Sequence, residues 1–167
     1  KTSSDNGTWT SRTSGTANAI QSMTYGNGTF VTAGNTGTII SSSNATTWTV
    51  RTSGTSQNLF GNTYGNELFV AVGASGTILT SSDGINWKSG TSGTSTSLWG
   101  VGYGNGLYVV LGSSGTILTS SDGSTWTSRT SGTSQSIMKV AYGNGLFVVV
   151  GNAGTIITSS DGVTWTS

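Results

Sequence analysis

Tryptophan recurs in this chain at a constant step of 39 residues, and tyrosine repeats at the same step. The tryptophans are Trp9, Trp48, Trp87, Trp126 and Trp165, and the tyrosines are Tyr25, Tyr64, Tyr103 and Tyr142. A repeat of this length means that one small unit is copied along the chain and that neighbouring copies stack on each other. The 167 residues are therefore expected to form a single repeat domain with four copies and part of a fifth.

The best-preserved copy, between Trp126 and Trp165, contains four short segments rich in apolar and β-branched residues. These segments are residues 137–142, 146–150, 155–158 and 163–166. Asn144-Gly145 separates the first two, and Asn-Gly is a strong signal for a tight hairpin because both residues tolerate positive φ. No segment has helical periodicity, and the chain has no proline to interrupt a strand. Each copy is therefore predicted to form four antiparallel strands.

Four strands in about 40 residues is the size of one β-propeller blade. The predicted fold is all-β, a β-propeller whose four blades each have four antiparallel strands. A β-solenoid is the alternative, but it would need fewer hairpin turns than the repeated Asn-Gly pairs indicate. The blades are expected at about 14–52, 53–91, 92–130 and 131–167, with residues 1–13 forming a spare or closing outer strand.

The turn before the last three periodic tryptophans reads Ser-Asp-Gly-x-x-Trp, at residues 82–87, 121–126 and 160–165. It resembles the Asp-box of sialidase-type (BNR-like) propellers, shortened by one residue, and the wider repeat looks like highly repetitive bacterial propellers. In that family the Asp caps turn amides and the Trp packs over the hairpin, which suits the chemistry of Asp side chains. The resemblance implies a structural role for Asp5, Trp9, Asn44, Trp48, Asp83, Trp87, Asp122, Trp126, Asp161 and Trp165.

The N-terminal half departs from the repeat at three turns. Asn44-Ala45 replaces the Asp-Gly of the box, so this copy has lost both its carboxylate and its permissive glycine. Asn6 stands where later copies have glycine. Glu67 replaces the glycine of the Asn-Gly turn, which would cost about 1 kcal/mol or more if its φ is positive.

Charged residues are scarce, since 6 Lys and Arg and 5 Asp and Glu make up 7% of the chain and leave a net charge of +1. Ordinary domains carry roughly 25%. There is thus no basic footprint for nucleic acid or an anionic membrane, and no apolar run is long enough to span a bilayer. Without cysteine or histidine, the chain lacks thiolate metal ligands and the commonest general base. We expect no nucleic-acid, membrane, metal or cofactor partner.

Sialidase activity is the catalytic hypothesis that the box resemblance raises, and the sequence argues against it. Such enzymes resemble one another in an arginine triad, a tyrosine nucleophile with a glutamate partner, and an acid Asp. Arg12, Arg51 and Arg129 occupy one repeat position, so they are expected to be spread around the molecule. Glu67, the only glutamate, lies in a predicted turn, and carboxylates of different blades are too far apart for glycoside hydrolysis. The chain is predicted not to be an enzyme.

The connectors between blades and the second turn of each blade are expected on one face, which usually carries the ligand site of a propeller. The polar residues expected there are Arg12, Arg51, Arg129, Gln57, Gln135, Asn35 and Asn152. Such groups suit glycans, and repeated weak sites would gain avidity. The predicted function is a non-enzymatic repeat scaffold that self-assembles or binds protein. The alternative is a multivalent, lectin-like propeller that binds carbohydrate.

The sequence contains four copies of the first three strands of a blade and five copies of the fourth, so it does not show how the ring would close. A propeller closes by sealing its last blade with a strand from the other terminus, which removes open sheet edges. Either residues 1–13 or the C-terminal copy would supply that strand. Two chains would give an eight-bladed ring, and we rank this homo-oligomer above a monomeric four-bladed ring.

The resemblance to bacterial propellers implies that the protein is extracellular or lies on the cell surface. No signal peptide is visible at Lys1, so a targeting segment would have been removed or would lie outside this sequence.

Overall fold

The computed structural model describes residues 1–4 and 7–167. Within them, the strands form four antiparallel sheets in which sequential strands are neighbours. Blade 1 contains β1 (Ile20–Gly26), β2 (Thr29–Gly34), β3 (Ile39–Ser42) and β4 (Thr49–Arg51), and blade 2 contains β5 (Leu59–Gly65), β6 (Leu68–Gly73), β7 (Ile78–Ser81) and β8 (Lys88–Gly90). Blade 3 contains β9 (Leu98–Gly104), β10 (Leu107–Gly112), β11 (Ile117–Ser120) and β12 (Thr127–Arg129), and blade 4 contains β13 (Ile137–Gly143), β14 (Leu146–Gly151) and β15 (Ile156–Ser159). This confirms the predicted all-β architecture with four blades.

The first hairpin of each blade is as tight as the Asn-Gly pair predicts. In blade 1, Asn27 and Gly28 have φ of 44° and 71°, and the flanking residues Gly26 and Thr29 pair across the two strands. In blade 2, Glu67 takes the glycine position with φ of 60°. A side chain with a Cβ is strained in this left-handed region, so the turn in blade 2 is the least favourable of the four.

The second turn of each blade is a single 3₁₀ turn, at Asn35–Gly37, Ala74–Gly76, Ser113–Gly115 and Asn152–Gly154. Its middle residue is left-handed in every blade, as at Thr36 with φ of 56°. The preceding strand residue donates its backbone N–H across the turn, as from Gly34 to the Thr38 oxygen at 2.9 Å. This turn links the second strand of the blade to the third, and it faces the connector that leads to the next blade.

The hydrophobic core lies between blades, so each seam joins two sheets face to face. Between blades 3 and 4, the side chains of Val109, Leu111 and Ile117 pack on Phe147 and Val149, and all five are fully buried. Equivalent clusters fill the seams between blades 1 and 2 and between blades 2 and 3. The hydrophobic core is therefore divided into three repeated seams.

The blades form an open row. The inner strand β1 packs on β5, β5 packs on β9, and β9 packs on β13. Among the described residues, no comparable packing joins β13 to β1, and apolar side chains on the outward faces of blades 1 and 4 are exposed. The closed four-bladed monomer is therefore not the arrangement that this structure shows.

The two terminal copies of the outer hairpin occupy opposite ends of the row. Thr2 and Thr10 form an isolated antiparallel bridge, and Thr158 and Thr166 form the equivalent bridge beside β15. The fourth strand of blade 4 is thus supplied by the C-terminal copy, while Thr2 and Arg12 lie beside blade 1. The sequence-predicted box residue Asp5 lies outside the described residues.

Candidate functional site

Blade 1 presents a face that has no blade in front of it, which we call the leading face. It consists of Ile20, Met23, Tyr25, Thr32, Ile40 and Trp48. At the positions of Ile20, Thr32 and Ile40, blade 4 has Ile137, Val149 and Ile157, which are fully buried because they pack on blade 3. On the leading face, by contrast, Met23 is 61% exposed and Tyr25 is 58% exposed.

Blade 4 presents the opposite face to solvent, which we call the trailing face. It consists of Leu146, Val148, Val150 and Ile156, together with Gly143. The corresponding residues of blade 3 are Leu107, Val109, Leu111 and Ile117, which pack on blade 4. On the trailing face these side chains are uncovered, and Ile156 is 58% exposed. Clustered exposed apolar side chains of this kind mark interaction surfaces.

A glycine on each blade shows how closely two faces meet. A Cβ on Gly26, Gly65 or Gly104 would overlap the ring of Tyr64, Tyr103 or Tyr142 on the next blade. Around Gly143, at the same position of blade 4, there is nothing within 4 Å. The tyrosine that repeats at this place on the leading face is Tyr25, whose ring is largely exposed.

The second turn repeats the same relationship on the connector side. A Cβ on Gly37, Gly76 or Gly115 would overlap a carbonyl oxygen of the connector that follows, whereas Gly154 again has nothing within 4 Å. The trailing face therefore lacks a neighbour at both its inner strand and its turn. The two uncovered faces carry the two halves of the seam that the chain forms three times internally.

The polar residues predicted to bind ligand lie apart from each other along the row. Arg51 and Arg129 line two equivalent surface grooves of about 580 and 750 Å³, each walled by Ser and Thr of the connectors. In each, the arginine Nε donates to an outer-strand hydroxyl, Ser41 at 2.8 Å and Thr119 at 2.9 Å. Blade 2 has Gly90 at this position.

The remaining predicted ligand residues do not complete these grooves. Arg12 donates to the Thr2 hydroxyl at 3.0 Å, beside the leading face. The Asn35 amide oxygen accepts from Gln21 at 3.0 Å, and the Gln57 amide oxygen accepts from Ser75 at 3.4 Å. Gln135 and Asn152 are exposed near the end of the row. The structure therefore brings no single polar site together, and glycan binding stays a prediction.

The box turns have the capping geometry expected of their sequence. One Asp122 carboxylate oxygen accepts from the backbone amides of Ser124 and Thr125 at 2.8 and 2.9 Å and from the Ser120 hydroxyl at 2.9 Å. These hydrogen bonds, the amides first, lower the pKa of Asp122 to about 2 because they favour the charged form. Asp161 has the same bonds and a pKa of about 2, and the pKa of Asp83 is lowered as well.

Asn44 caps its turn in the same way without a charge. Its amide oxygen accepts from the backbone amides of Thr46 and Thr47, both at 2.9 Å. The box tryptophans pack on the inner aromatic ring of their own blade, as Trp87 does on Phe69 with ring centroids 6.5 Å apart. These residues therefore stabilise hairpins, and Trp48, Trp126 and Trp165 make the same contact.

Neither a metal-binding cluster nor a membrane-spanning helix occurs in the described part of the chain. No group of three acidic, histidine or cysteine side chains there could hold a metal ion. No helix among those residues is long and apolar enough to cross a membrane.

Sequence reasoning predicted a seam between copies but did not identify its residues. The signal was present in the 39-residue step, because each face residue has three counterparts in the other blades. It was missed because the near-continuous apolar run at 146–150 is typical of a strand covered on both faces and does not indicate which side chains face the next blade. In the structure one face of this strand is exposed, at Leu146, Val148 and Val150.

No protein-family profile matches this chain, and no curated protein matches it. Solved structures do. One is a structure of YCF48 bound to a D1 peptide, which covers 90% of this chain at 18% sequence identity with a TM-score of 0.70. Another is YCF48 from Cyanidioschyzon merolae, which covers 89% of this chain at 17% sequence identity with a TM-score of 0.67. The chain spans 55% of the length of each.

A computationally designed protein, Ika4, is similar over nearly its whole length. It covers 86% of this chain, which in turn covers 92% of Ika4, at 14% identity with a TM-score of 0.69. Identities this low establish the shape of the chain and nothing about its activity. Together with the four sheets packed face to face, these likenesses show that the chain has a β-propeller fold.

Proposed function

We propose that this chain is a non-enzymatic propeller scaffold that binds protein, and that its first partner is a second copy of itself. The trailing face of one copy covers the leading face of another. The observation that carries this proposal is the residue-by-residue equivalence between the two exposed faces and the three buried seams of the chain. A surface already built to pack on the next blade needs no new complementarity to bind that blade in another copy.

Two copies joined in this way at both ends would close into a ring of eight blades. Closure would cover all four terminal faces, since each copy contributes one leading face and one trailing face. It would place Tyr25 of one copy over Gly143 of the other, where the ring has open space to enter. Burial of Met23, Val148, Val150 and Ile156 would supply the hydrophobic driving force.

Protein binding as a general role draws support from one of the similar structures. That structure is of YCF48 bound to a D1 peptide, so a propeller of this shape presents a surface to a polypeptide. We also propose that the capped hairpins are Asp-box turns of a bacterial, extracellular protein. The capping bonds of Asp83, Asp122 and Asp161 are the observation that favours the box assignment.

Native mass spectrometry of the full chain tests the proposal. The expected mass is twice the 16.9 kDa of one copy, and a single-copy mass at micromolar concentration would refute self-assembly. Val148→Asp should restore the single-copy mass, because it buries a charge in the new seam. Val163→Asp is the matched control, since Val163 is similarly exposed but lies in the box turn of blade 4 and not on the trailing face.

A further inference from the structure

The box turns of the last three blades each rest on the blade before them. The glycine of this turn is buried in blades 2, 3 and 4, at Gly84, Gly123 and Gly162. A Cβ on Gly123 would come 2.5 Å from the Leu68 Cδ2 atom, and a Cβ on Gly162 would come 2.5 Å from the Leu107 Cδ2 atom. The three internal seams therefore close tightly at this point because the box turn has no side chain there.

Blade 1 has an alanine at the same turn position. Ala45 has a φ of 56° and Gly123 has a φ of 72°, so the turn keeps the left-handed conformation of the other blades. Ala45 is only half-buried, since no complete blade precedes blade 1 in this chain. Its methyl group is the Cβ that the other three turns lack.

Leu146 is the residue of the trailing face that corresponds to Leu68 and Leu107. It is 41% exposed, because no box turn of a following blade lies on it. In the proposed ring the box turn of blade 1 in the other copy would cover Leu146, as Gly162 covers Leu107 within the chain. The Ala45 methyl group would then enter space that the leucine occupies, and overpacking of this kind is destabilising.

The inner strands add a second point of excess bulk to the same seam. In the internal seams this position holds a small residue, Ser22, Gly61 or Gly100. A Cβ on Gly100 would overlap the backbone oxygen of Met138 in blade 4. Blade 4 itself has Lys139 at this position, and closure would bring it against Gln21 of the other copy, which corresponds to Met138. Two points of the seam between copies thus carry atoms that no internal seam has.

We propose that the seam between copies is a reversible joint, which Ala45 and Lys139 make weaker than the three seams within the chain. This inference rests on the proposed self-assembly and adds its regulation. Each ring has two such joints, since each copy contributes one leading face and one trailing face. The ring opens between copies while the four blades of each copy stay packed, so that copies exchange between rings.

Ala45→Gly tests the joint at its box turn. The dissociation constant of the assembled form, from analytical ultracentrifugation, should fall about tenfold, because the variant removes one crowding methyl group from each joint. Ser114→Gly is the matched control. Ser114 is also left-handed, with a φ of 53°, but it lies in the second turn of blade 3, away from both uncovered faces. It should leave the constant unchanged, and equal tightening by both variants would overturn the inference.

Leu146→Thr shows whether Ala45 acts through contact with the second copy. Thr29 takes this place in blade 1, where a Cβ on Gly84 would lie 3.5 Å from the Thr29 Cγ2 atom, an ordinary contact distance. In a chain that carries Leu146→Thr, the further change Ala45→Gly should therefore tighten assembly much less than it does in the parent. A tightening of the same size in both backgrounds would place the effect of Ala45 within its own copy and would contradict the inference.

Exchange of copies between rings measures the joint directly. Isotopically labelled and unlabelled parent chains, mixed after assembly, should give rings with one copy of each, which native mass spectrometry resolves. The double variant Ala45→Gly with Lys139→Gly should exchange several-fold more slowly, since most changes in the affinity of an interface appear in the dissociation rate. An exchange rate and a dissociation constant that both stay at the parent values would overturn the inference while self-assembly stands. If neither the parent nor the double variant assembles, the proposed function and the inference fall together.

Discussion

The ring of Tyr142 lies directly over Gly104, the last residue of β9 on the neighbouring blade. A Cβ on Gly104 would overlap that ring, whereas a Cβ on Gly143 would meet nothing within 4 Å. The space beside this glycine is thus filled by a tyrosine ring in blade 3 and empty in blade 4. This difference separates the internal seams of the chain from the exposed trailing face.

Alanine at these two glycines should have different effects. Gly104→Ala should lower the free energy of unfolding by about 1–3 kcal/mol, because it forces the Tyr142 ring out of a filled seam. Gly143→Ala should leave the free energy of unfolding of the single copy unchanged and weaken self-assembly. Urea unfolding measures the first effect and ultracentrifugation the second. Equal destabilisation of the single copy by both variants would contradict the open position of Gly143.

The box carboxylates predict a loss of stability in acid. An Asp whose pKa is lowered by folding stabilises the fold above its ordinary pKa of about 4, and this contribution disappears as pH falls through the folded value. For Asp122 and Asp161 that window runs from about pH 4 down to about pH 2. The melting temperature should therefore fall as the pH drops from 4 to 2.

Asn44 provides the control for this acid effect. In the triple variant Asp83→Asn, Asp122→Asn and Asp161→Asn, the melting temperature should decrease less between pH 5 and pH 2 than it does in the parent. The reason is that an uncharged amide caps such a turn at any pH, as Asn44 already does in blade 1. In the variant Asn44→Asp, the melting temperature should decrease more than in the parent over the same pH range. An acid profile that none of these changes alters would assign the pH dependence to other groups.

Glu67 sits at a backbone conformation that suits glycine. Its φ is 60°, at the position where the other three blades have Gly28, Gly106 and Gly145. Glu67→Gly should raise the free energy of unfolding by about 1 kcal/mol, because it relieves left-handed strain. Leu68→Gly, one residue into the strand, should destabilise instead. Thermal unfolding of the two variants gives the comparison.

Lys139 is the largest side chain at a narrow inner position. Gly61 and Gly100 fill this place in blades 2 and 3, where a Cβ on Gly61 would come 3.1 Å from the Gly100 Cα. At the proposed seam Lys139 would approach β1 of the second copy, so Lys139→Gly should tighten self-assembly several-fold by removing bulk and charge. Lys88→Thr removes the same charge from an outer strand and should leave assembly unchanged. A weaker dimer on Lys139→Gly would argue against the seam geometry.

Much of the fold was predictable because the repeat reports local structure many times. Asn-Gly turns identified the first hairpins, and the Asp-Gly boxes identified the third, since these residues adopt left-handed or capped backbones in isolation from their surroundings. Glu67 showed the limit of that reasoning, because packing holds an unfavourable residue in the same turn. The second turn was predicted as a turn, but its 3₁₀ form with a left-handed middle residue was not.

The candidate site was less predictable. The sequence predicted that Arg12, Arg51 and Arg129 bind ligand. In the structure each of them donates a hydrogen bond to an outer-strand hydroxyl of its own hairpin. The exposed residue Ile156 gave no such signal, since its counterparts Ile39, Ile78 and Ile117 in the other blades are core residues. Whether an apolar strand residue faces another blade or solvent depends on its position in the row.

The sequence alone determined the blade, its length and its turns, because these depend on residue types within a few positions of each other. Only the tertiary structure showed that four blades do not meet around a ring, that the C-terminal copy completes blade 4, and that Thr2 and Arg12 lie beside blade 1. The physical reason is that every seam has the same local chemistry. The angle between stacked sheets, and hence the covering of the last face, is a property of packing across the whole row.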